Sequence, residues 1–74
     1  MRIVVDARGL APPEPLERVM SALCEIKSGD EVVLILEQEP FPLYRVLELN
    51  GYTHRSTPFP DGRFEILIQE RPKP

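Results

Sequence analysis

The apolar run Val32-Val33-Leu34-Ile35-Leu36 constrains the fold of this chain more than any other segment. It is bounded by Glu31 and Glu37, and it is rich in β-branched residues, which pack well on the pleated surface of a sheet. A strand with one exposed face alternates apolar and polar residues, whereas a continuous apolar run is typical of a strand covered on two faces. The sequence therefore predicts a central strand over residues 32–36.

Strand and helix patterns precede this central strand. Ile3-Val4-Val5 predicts a first strand, and apolar residues then recur at helical spacing until Ser28-Gly29. Pro13 and Pro15 suit the first turn of such a helix, where the N–H groups have no intrahelical acceptor. The apolar residues of this first helix are Leu16, Val19, Met20, Leu23 and Ile26.

A second helix and a hairpin follow the central strand. The short helix ends at Asn50-Gly51, and residues 52–59 and 63–70 then predict a hairpin about Pro60-Asp61-Gly62. The apolar residues of this helix are Leu43, Val46 and Leu47. The residues of the last strand that share one side are Phe64, Ile66 and Ile68.

The element order β-α-β-α-β-β predicts an α/β (α+β) fold, a two-layer α/β sandwich. A crossover between parallel strands is right-handed, so we expect two helices on one face of a four-stranded mixed sheet. We expect residues 1–70 to form a single domain and residues 71–74 to form a frayed tail.

One face of this sheet is left without helices. If Val32 and Leu34 face the helices, the alternate residues emerge on the opposite face. These open-face residues are Val4, Val33, Ile35 and Leu67. We expect them to form an interface with a protein partner or in a weak homodimer.

Composition and charge exclude several classes of function. Nine Lys and Arg residues against twelve Asp and Glu residues give a net charge of −3, the wrong sign for a general phosphate-binding surface. The one cysteine cannot form an internal disulfide, and no cysteines or histidines have metal-ligand spacing. The N-terminal apolar run is too short for a signal peptide or a membrane span. We therefore expect a cytoplasmic protein that needs no cofactor and binds neither nucleic acid nor membranes.

The segment from Asp6 to Pro15 carries the most specific motif of the chain. It reads Asp-Ala-Arg-Gly-Leu-Ala-Pro-Pro-Glu-Pro and resembles the signature of the TusA/SirA-like sulfur-carrier family, in which Arg-Gly-Leu is followed by Cys-Pro-x-Pro. Aligned on Arg8-Gly9-Leu10 and Pro13-Glu14-Pro15, the carrier cysteine of the family falls at Pro12. The chain is most similar to a Cys-less branch known only as a domain of unknown function. The resemblance implies the same two-layer fold.

A second segment also resembles the Cys-less branch. Glu39-Pro40-Phe41-Pro42-Leu43 is similar to the His-Asp-Pro-x-Pro-Leu segment of that branch, with Gln38 and Glu39 in place of His and Asp. The missing histidine further weakens the family-based case for a metal site or a proton transfer here.

Pro12 changes what the strand-to-helix turn can do. The resemblance implies that the carrier cysteine lies at a helix N-terminus, where the helix dipole favours a thiolate that can hold a persulfide. Pro12 has no nucleophile, Pro13 and Pro15 donate no N–H, and an anion site is disfavoured because Glu14 adds a negative charge. We expect residues 11–15 to be a rigid helix entry without a chemical role.

Arg8 and Gly9 remain as in the family. We expect Gly9 to take a positive φ. Arg8 either fixes the loop, by bonding carbonyls or by pairing with Asp6 or Glu14, or offers a positive contact to a carboxylate of a partner. The candidate partner-binding residues are Arg8, Pro12, Glu14, Phe41 and Tyr44. The two aromatic residues of this set mark either a contact patch beside the loop or helix-entry packing.

Cys24 and His54 are the remaining candidates for chemistry. The helical spacing places Cys24 about three turns into the first helix, beside its apolar residues, which favours packing over reactivity. His54 has Glu37 or Glu39 as acidic companions across the sheet, and we expect a solvated side chain rather than a metal ligand.

These observations predict a non-catalytic binding or accessory module that lacks the sulfur-carrier cysteine. Two alternatives remain open. The first is a sulfur-relay or redox-related protein in which Cys24 has taken over, for which thiol reactivity is the discriminating property. The second is a small RNA-contacting α/β domain, which requires the arginines to cluster on one side.

Overall fold

The apolar run that dominates the sequence forms an interior strand. The structure is a computed structural model and describes residues 1–72. Its elements, in chain order, are β1 (Arg2–Asp6), α1 (Glu14–Leu23), β2 (Glu31–Leu36), α2 (Phe41–Leu49), β3 (Tyr52–Pro58) and β4 (Phe64–Glu70). The predicted order β-α-β-α-β-β is confirmed.

The four strands form one mixed sheet in the order β1-β2-β4-β3. β1 pairs in parallel with β2, and β4 pairs antiparallel with both β2 and β3. The two helices cover one face of this sheet, so the predicted two-layer architecture is confirmed. As a result, the carboxyl ends of β1 and β2 lie side by side, and each leads into the N-terminus of a helix.

The hydrophobic core lies between the helices and the sheet. Val32 and Leu34 are both fully buried, whereas Val33 and Ile35 between and beyond them are half-buried, as expected when side chains alternate across a strand. The largest fully buried side chains are Val19, Val32, Leu34, Leu47, Ile66 and Ile68. The helical and strand patterns of the sequence therefore identified the core correctly.

The face without helices carries a short aliphatic row. Val4 lies opposite Val33, and Val33 lies opposite Leu67. Val4 is 58% exposed, and the other members of the row are half-buried. The placement of these residues follows the predicted alternation, and their role as an interface stays a prediction.

Helix α1 ends earlier than its apolar spacing predicts. It stops at Leu23, and Cys24 is the C-terminal cap. The Glu25 N–H donates to the carbonyl of Ala22, three residues back. A bond over three residues is of the 3₁₀ type and ends the α-helical turn. The Asp30 carboxylate then accepts the Lys27 N–H at 3.0 Å, and this turn returns the chain to β2. The apolar residue beyond the helix, Ile26, still packs on the core.

The chain after β4 is held more tightly than predicted. Arg71 donates its N–H to the carbonyl of Gly51 at 2.8 Å, and its guanidinium contacts the carbonyl of Glu48. The expectation of fraying is therefore wrong at Arg71, and Lys73 and Pro74 lie outside the described residues. No helix within residues 1–72 is both long enough and apolar enough to cross a bilayer.

Candidate functional site

A cleft of about 730 Å³ lies where the carboxyl ends of β1 and β2 meet the N-termini of both helices. One wall is the β1–α1 loop from Ala7 to Pro13, and the other is the β2–α2 loop from Leu36 to Pro40. The floor contains aliphatic side chains of the helices, including Leu16, Leu43 and Val46. Ligands of α/β sheets bind at this edge of the sheet, so the cleft is the candidate site.

Proline is the commonest residue type in the lining of the cleft. The prolines are Pro12, Pro13, Pro15, Pro40 and Pro42. Each helix has a proline in its first turn, and proline has no backbone N–H to donate. Few flexible polar side chains line the cleft. The peptide bond between Pro12 and Pro13 is cis.

Several N–H groups at the start of both helices are already used. The Glu14 N–H bonds the carbonyl of Ala11 at 3.0 Å, and the Phe41 N–H bonds that of Glu39 at 3.1 Å. The Leu43 N–H bonds the carbonyl of Pro40. An anion at a helix N-terminus needs such groups to be free. With these donors bonded to carbonyls, the two helix N-termini offer an anion fewer N–H groups than uncapped helices would.

Arg8 is committed to Asp6. Its Nε and Nη2 donate to the two carboxylate oxygens of Asp6 at 2.9 and 2.8 Å, and its backbone N–H donates to Oδ1 at 3.2 Å. The guanidinium of Arg8 lowers the pKa of Asp6 from 3.8 to about 2. Of the interactions proposed for Arg8, pairing with Asp6 is the one that occurs, and Gly9 beside it has a φ of +80°. This pair fixes the loop that forms one wall of the cleft.

The charge of the cleft is negative on balance. Apart from Arg8, its charged lining residues in the described part of the chain are Glu37 and Glu39. The positive charge of Arg8 is largely neutralised by Asp6, whereas Glu37 is exposed. A cationic or apolar group therefore suits the cleft better than an acidic one.

The predicted partner-binding residues separate into different places. Arg8 and Pro12 line the cleft, but Glu14, Phe41 and Tyr44 are not part of its lining. The Glu14 carboxylate pairs with the guanidinium of Arg18, one turn along α1, at 3.9 Å. It does not pair with Arg8. Phe41 is 67% exposed. The two aromatic rings therefore lie outside the cleft lining, which contains Pro40 and Pro42 instead. The partner-binding role of the predicted residues stays a prediction.

The two aromatic residues instead contact each other and β3. The rings of Phe41 and Tyr44 meet edge to face at 5.9 Å, and the Tyr44 ring stacks on the His54 imidazole at 4.2 Å. His54 Nε2 lies 2.9 Å from a carboxylate oxygen of Glu48. The expected companions of His54 were Glu37 or Glu39, and its side chain was expected to be solvated. Both expectations are wrong, because α2 covers this side of β3 and leaves the His54 side chain 22% exposed.

The hydroxyl of Tyr44 links this aromatic cluster to the cleft. It donates to the Glu39 carboxylate at 3.1 Å. Burial raises the pKa of Tyr44, and the Glu39 carboxylate adds to the shift. The Oγ of Ser56 is buried and meets hydrogen-bond geometry with no described residue. The hydrogen bond from the Tyr44 hydroxyl holds the Glu39 carboxylate in one orientation at the cleft wall.

Sequence reasoning missed this cluster although a signal was present. Tyr44 and Glu48 are four residues apart on one helix and so share a face. His54 has the same strand parity as Tyr52 and Ser56, and all three are half-buried. Only the pairing of α2 with the outer strand β3, which is a property of the tertiary fold, joins the two patterns.

Cys24 does not pack against the apolar residues of α1 as its sequence position suggested. Its side chain is exposed at the C-terminal end of α1, opposite the end that borders the cleft. The prediction that it serves packing is wrong, because Cys24 is the C-terminal cap of the helix and its side chain is exposed. Within residues 1–72, no three His, Cys, Asp or Glu side chains are grouped to hold a metal ion.

Comparison with known proteins agrees with the fold and the loop. Residues 4–70 match the model of the family described as "Uncharacterized conserved protein (DUF2249)". The chain belongs to this family. The expected likeness to SirA-like proteins is confirmed for this DUF2249 member by the crystal structure of a SirA-like protein from Desulfitobacterium hafniense, with a TM-score of 0.81 and 27% identity. The match covers 92% of this chain and 95% of the other. A search of curated proteins found no match.

Proposed function

We propose that this DUF2249 chain is a non-catalytic binding module whose cleft receives a segment of a partner protein. The observation that supports the proposal is that Pro12, which the resemblance aligns with the carrier cysteine, lies in the wall of a mostly apolar cleft. A proline there removes the nucleophile but adds rigid apolar surface, which lowers the entropy lost when a partner binds.

The chemistry of the cleft defines the segment that it fits. Proline and aliphatic walls favour an apolar side chain, and Glu37 and Glu39 favour a neighbouring Lys or Arg. The negative charges of Glu37 and Glu39 disfavour a phosphorylated or acidic segment, and several helix N–H groups that could bind one are already bonded to carbonyls. The partner segment therefore carries an apolar residue next to a basic residue.

A selection of peptides displayed on phage tests this proposal. Wild-type protein should enrich peptides with an apolar residue beside Lys or Arg. Glu37→Lys should weaken binding of an enriched peptide by about tenfold or more, because the charge complementarity is reversed at the cleft wall. Glu25→Lys makes the same charge change at an exposed position outside the cleft and should leave the affinity unchanged.

Either of two outcomes contradicts the proposal. One is the absence of any enriched peptide, and the other is an equal loss of affinity in the two lysine variants. Once a peptide is known, a pull-down from native lysate with Arg8→Ala and Glu37→Lys as comparisons identifies the native partner.

Sulfur relay through Cys24 is the second candidate, and the exposure of its thiol favours it. The thiol lies at the end of α1 opposite the one that a sulfur carrier uses, and the exposed neighbour Glu25 is acidic. These features support the binding module over the relay.

The distribution of arginine argues against an RNA-contacting function. Four arginines have acidic partners, namely Arg2, Arg8, Arg18 and Arg63. They lie on β1, in the β1–α1 loop, on α1 and in the turn before β4, so these four do not form a basic face. RNA binding requires free positive charge on one side.

A further inference from the structure

β1 is an edge strand whose outer backbone groups are free to pair. The carbonyl of Met1 accepts the Glu31 N–H, and the Ala7 N–H bonds the carbonyl of Ile35, both at 3.0 Å. Bonding direction alternates along a strand, so the odd-numbered residues of β1 bond β2, and Arg2, Val4 and Asp6 point their N–H and C=O groups outward. Among the described residues no strand pairs with this edge.

We propose that a second copy of this chain pairs with this edge, joining β1 antiparallel to β1 of its partner about a two-fold axis at Val4. The register is set by the strand itself. When Val4 faces its own copy, Arg2 faces Asp6 of the partner and Asp6 faces Arg2. All three pairs consist of residues with outward backbone groups, so each pair exchanges two bonds, about six in total.

The charges of the paired strands are complementary in this register. Arg2 is already 2.7 Å from Glu31 of β2, and Asp6 is held by Arg8. Pairing the copies therefore produces a row of alternating sign, from Glu31 to Arg2 of one copy to Asp6 and Arg8 of the other. Opposite charges at directly facing positions stabilise a strand pair, and like charges destabilise it.

The apolar residues support the same register. On the open face, the row of Val4, Val33 and Leu67 becomes continuous with the same row of the second copy. On the helix-covered side, Ile3 meets Val5 of the other copy, and both are half-buried at this edge. The 58% exposed side chain of Val4 thereby gains an apolar neighbour.

The opposite edge of the sheet lacks this complementarity. Self-pairing of β3 about its centre places Arg55 opposite its own copy and opposes Tyr52 with Pro58. A charge in the middle of an edge and a proline at its end are devices that prevent pairing. β1 carries its charges at its ends and a valine in the middle, so the two edges have different roles.

A charge-exchange experiment tests both the dimer and its register. Sedimentation velocity at increasing concentration should show dimers of the wild type. Arg2→Asp alone and Asp6→Arg alone should each weaken dimerisation by about tenfold or more, because each places like charges opposite each other twice. An equimolar mixture of the two variants should restore dimers, since every facing pair is again of opposite sign.

Val4→Pro and Ile35→Lys complete the test. Val4→Pro removes an outward N–H that bonds nothing within the chain, so it should abolish the dimer while a thermal melt shows that the monomer stays folded. Ile35→Lys changes the open face away from the edge and should leave the dimer intact. A strictly monomeric wild type overturns the proposal. Loss of the dimer in Ile35→Lys but not in Val4→Pro also overturns it, because the copies would then stack face to face.

Discussion

At the scale of single residues, the loop that shapes the cleft depends on one ion pair. Asp6 accepts three hydrogen bonds from Arg8, two from the guanidinium and one from the backbone. The sequence allowed this pairing, because the two residues are two positions apart at the end of a strand, but it equally allowed Glu14 as the partner. The choice is made by the direction of α1, which turns Glu14 toward Arg18.

The Asp6–Arg8 pair predicts a specific pH dependence of stability. The pKa of Asp6 is about 2 in the folded protein against 3.8 for the free side chain. Because the folded pKa is the lower one, the stabilisation is fully present above the unfolded pKa and is lost as pH falls through the folded pKa. The difference in unfolding free energy between wild type and Asp6→Asn should therefore be constant near neutral pH. It should shrink from below about pH 4 towards pH 2.

Urea melts of both proteins at each pH measure this difference. Because the pair is exposed, the difference should be small and should decrease further at high salt. A difference that does not change between neutral and acidic pH would show that Asp6 acts only as a neutral acceptor in the loop.

At the scale of elements, chain patterns predicted the existence of each helix and strand more reliably than where α1 ends. Ile26 continues the apolar spacing and therefore suggested a longer helix. The spacing reports which residues touch the core, and Ile26 touches it from the turn after the helix. The side chain of Asp30 captures the Lys27 N–H, and this local bond competes with the helical conformation.

The end of α1 leads to a prediction on Leu23 and Cys24. Leu23→Ala should lower the unfolding free energy by about 2–5 kcal/mol, because Leu23 is buried and the smaller side chain leaves a cavity. Cys24→Ser should change it by less than about 0.5 kcal/mol, since the thiol is exposed. Denaturant melts compare the two adjacent positions directly. A serine variant that is the less stable of the two would mean that the buried face of α1 has been assigned wrongly.

At the scale of the whole molecule, the fold followed from the sequence and the cleft did so only in part. The order of elements and the handedness of the crossover determine where the carboxyl ends of β1 and β2 meet, which brings Arg8 and Pro12 to the cleft. Phe41 is exposed outside the cleft, and Tyr44 stacks on β3, because the rotation of α2 about its axis depends on packing over the whole sheet. The rotation of α2 about its axis therefore could not be predicted from the sequence alone.

We propose that Pro12, at the position of the family's carrier cysteine, is part of a binding cleft, so that this chain binds a partner without transferring sulfur. The most direct test is intact-mass spectrometry after incubation with a persulfidated cysteine desulfurase, with a sulfur carrier that has the cysteine as positive control and Cys24→Ser as negative control. We predict that the carrier gains the mass of one sulfur atom and that this chain does not, because Pro12 has no thiol. A stable gain of one sulfur atom on the wild type, absent from Cys24→Ser, would contradict the account and assign sulfur transfer to Cys24.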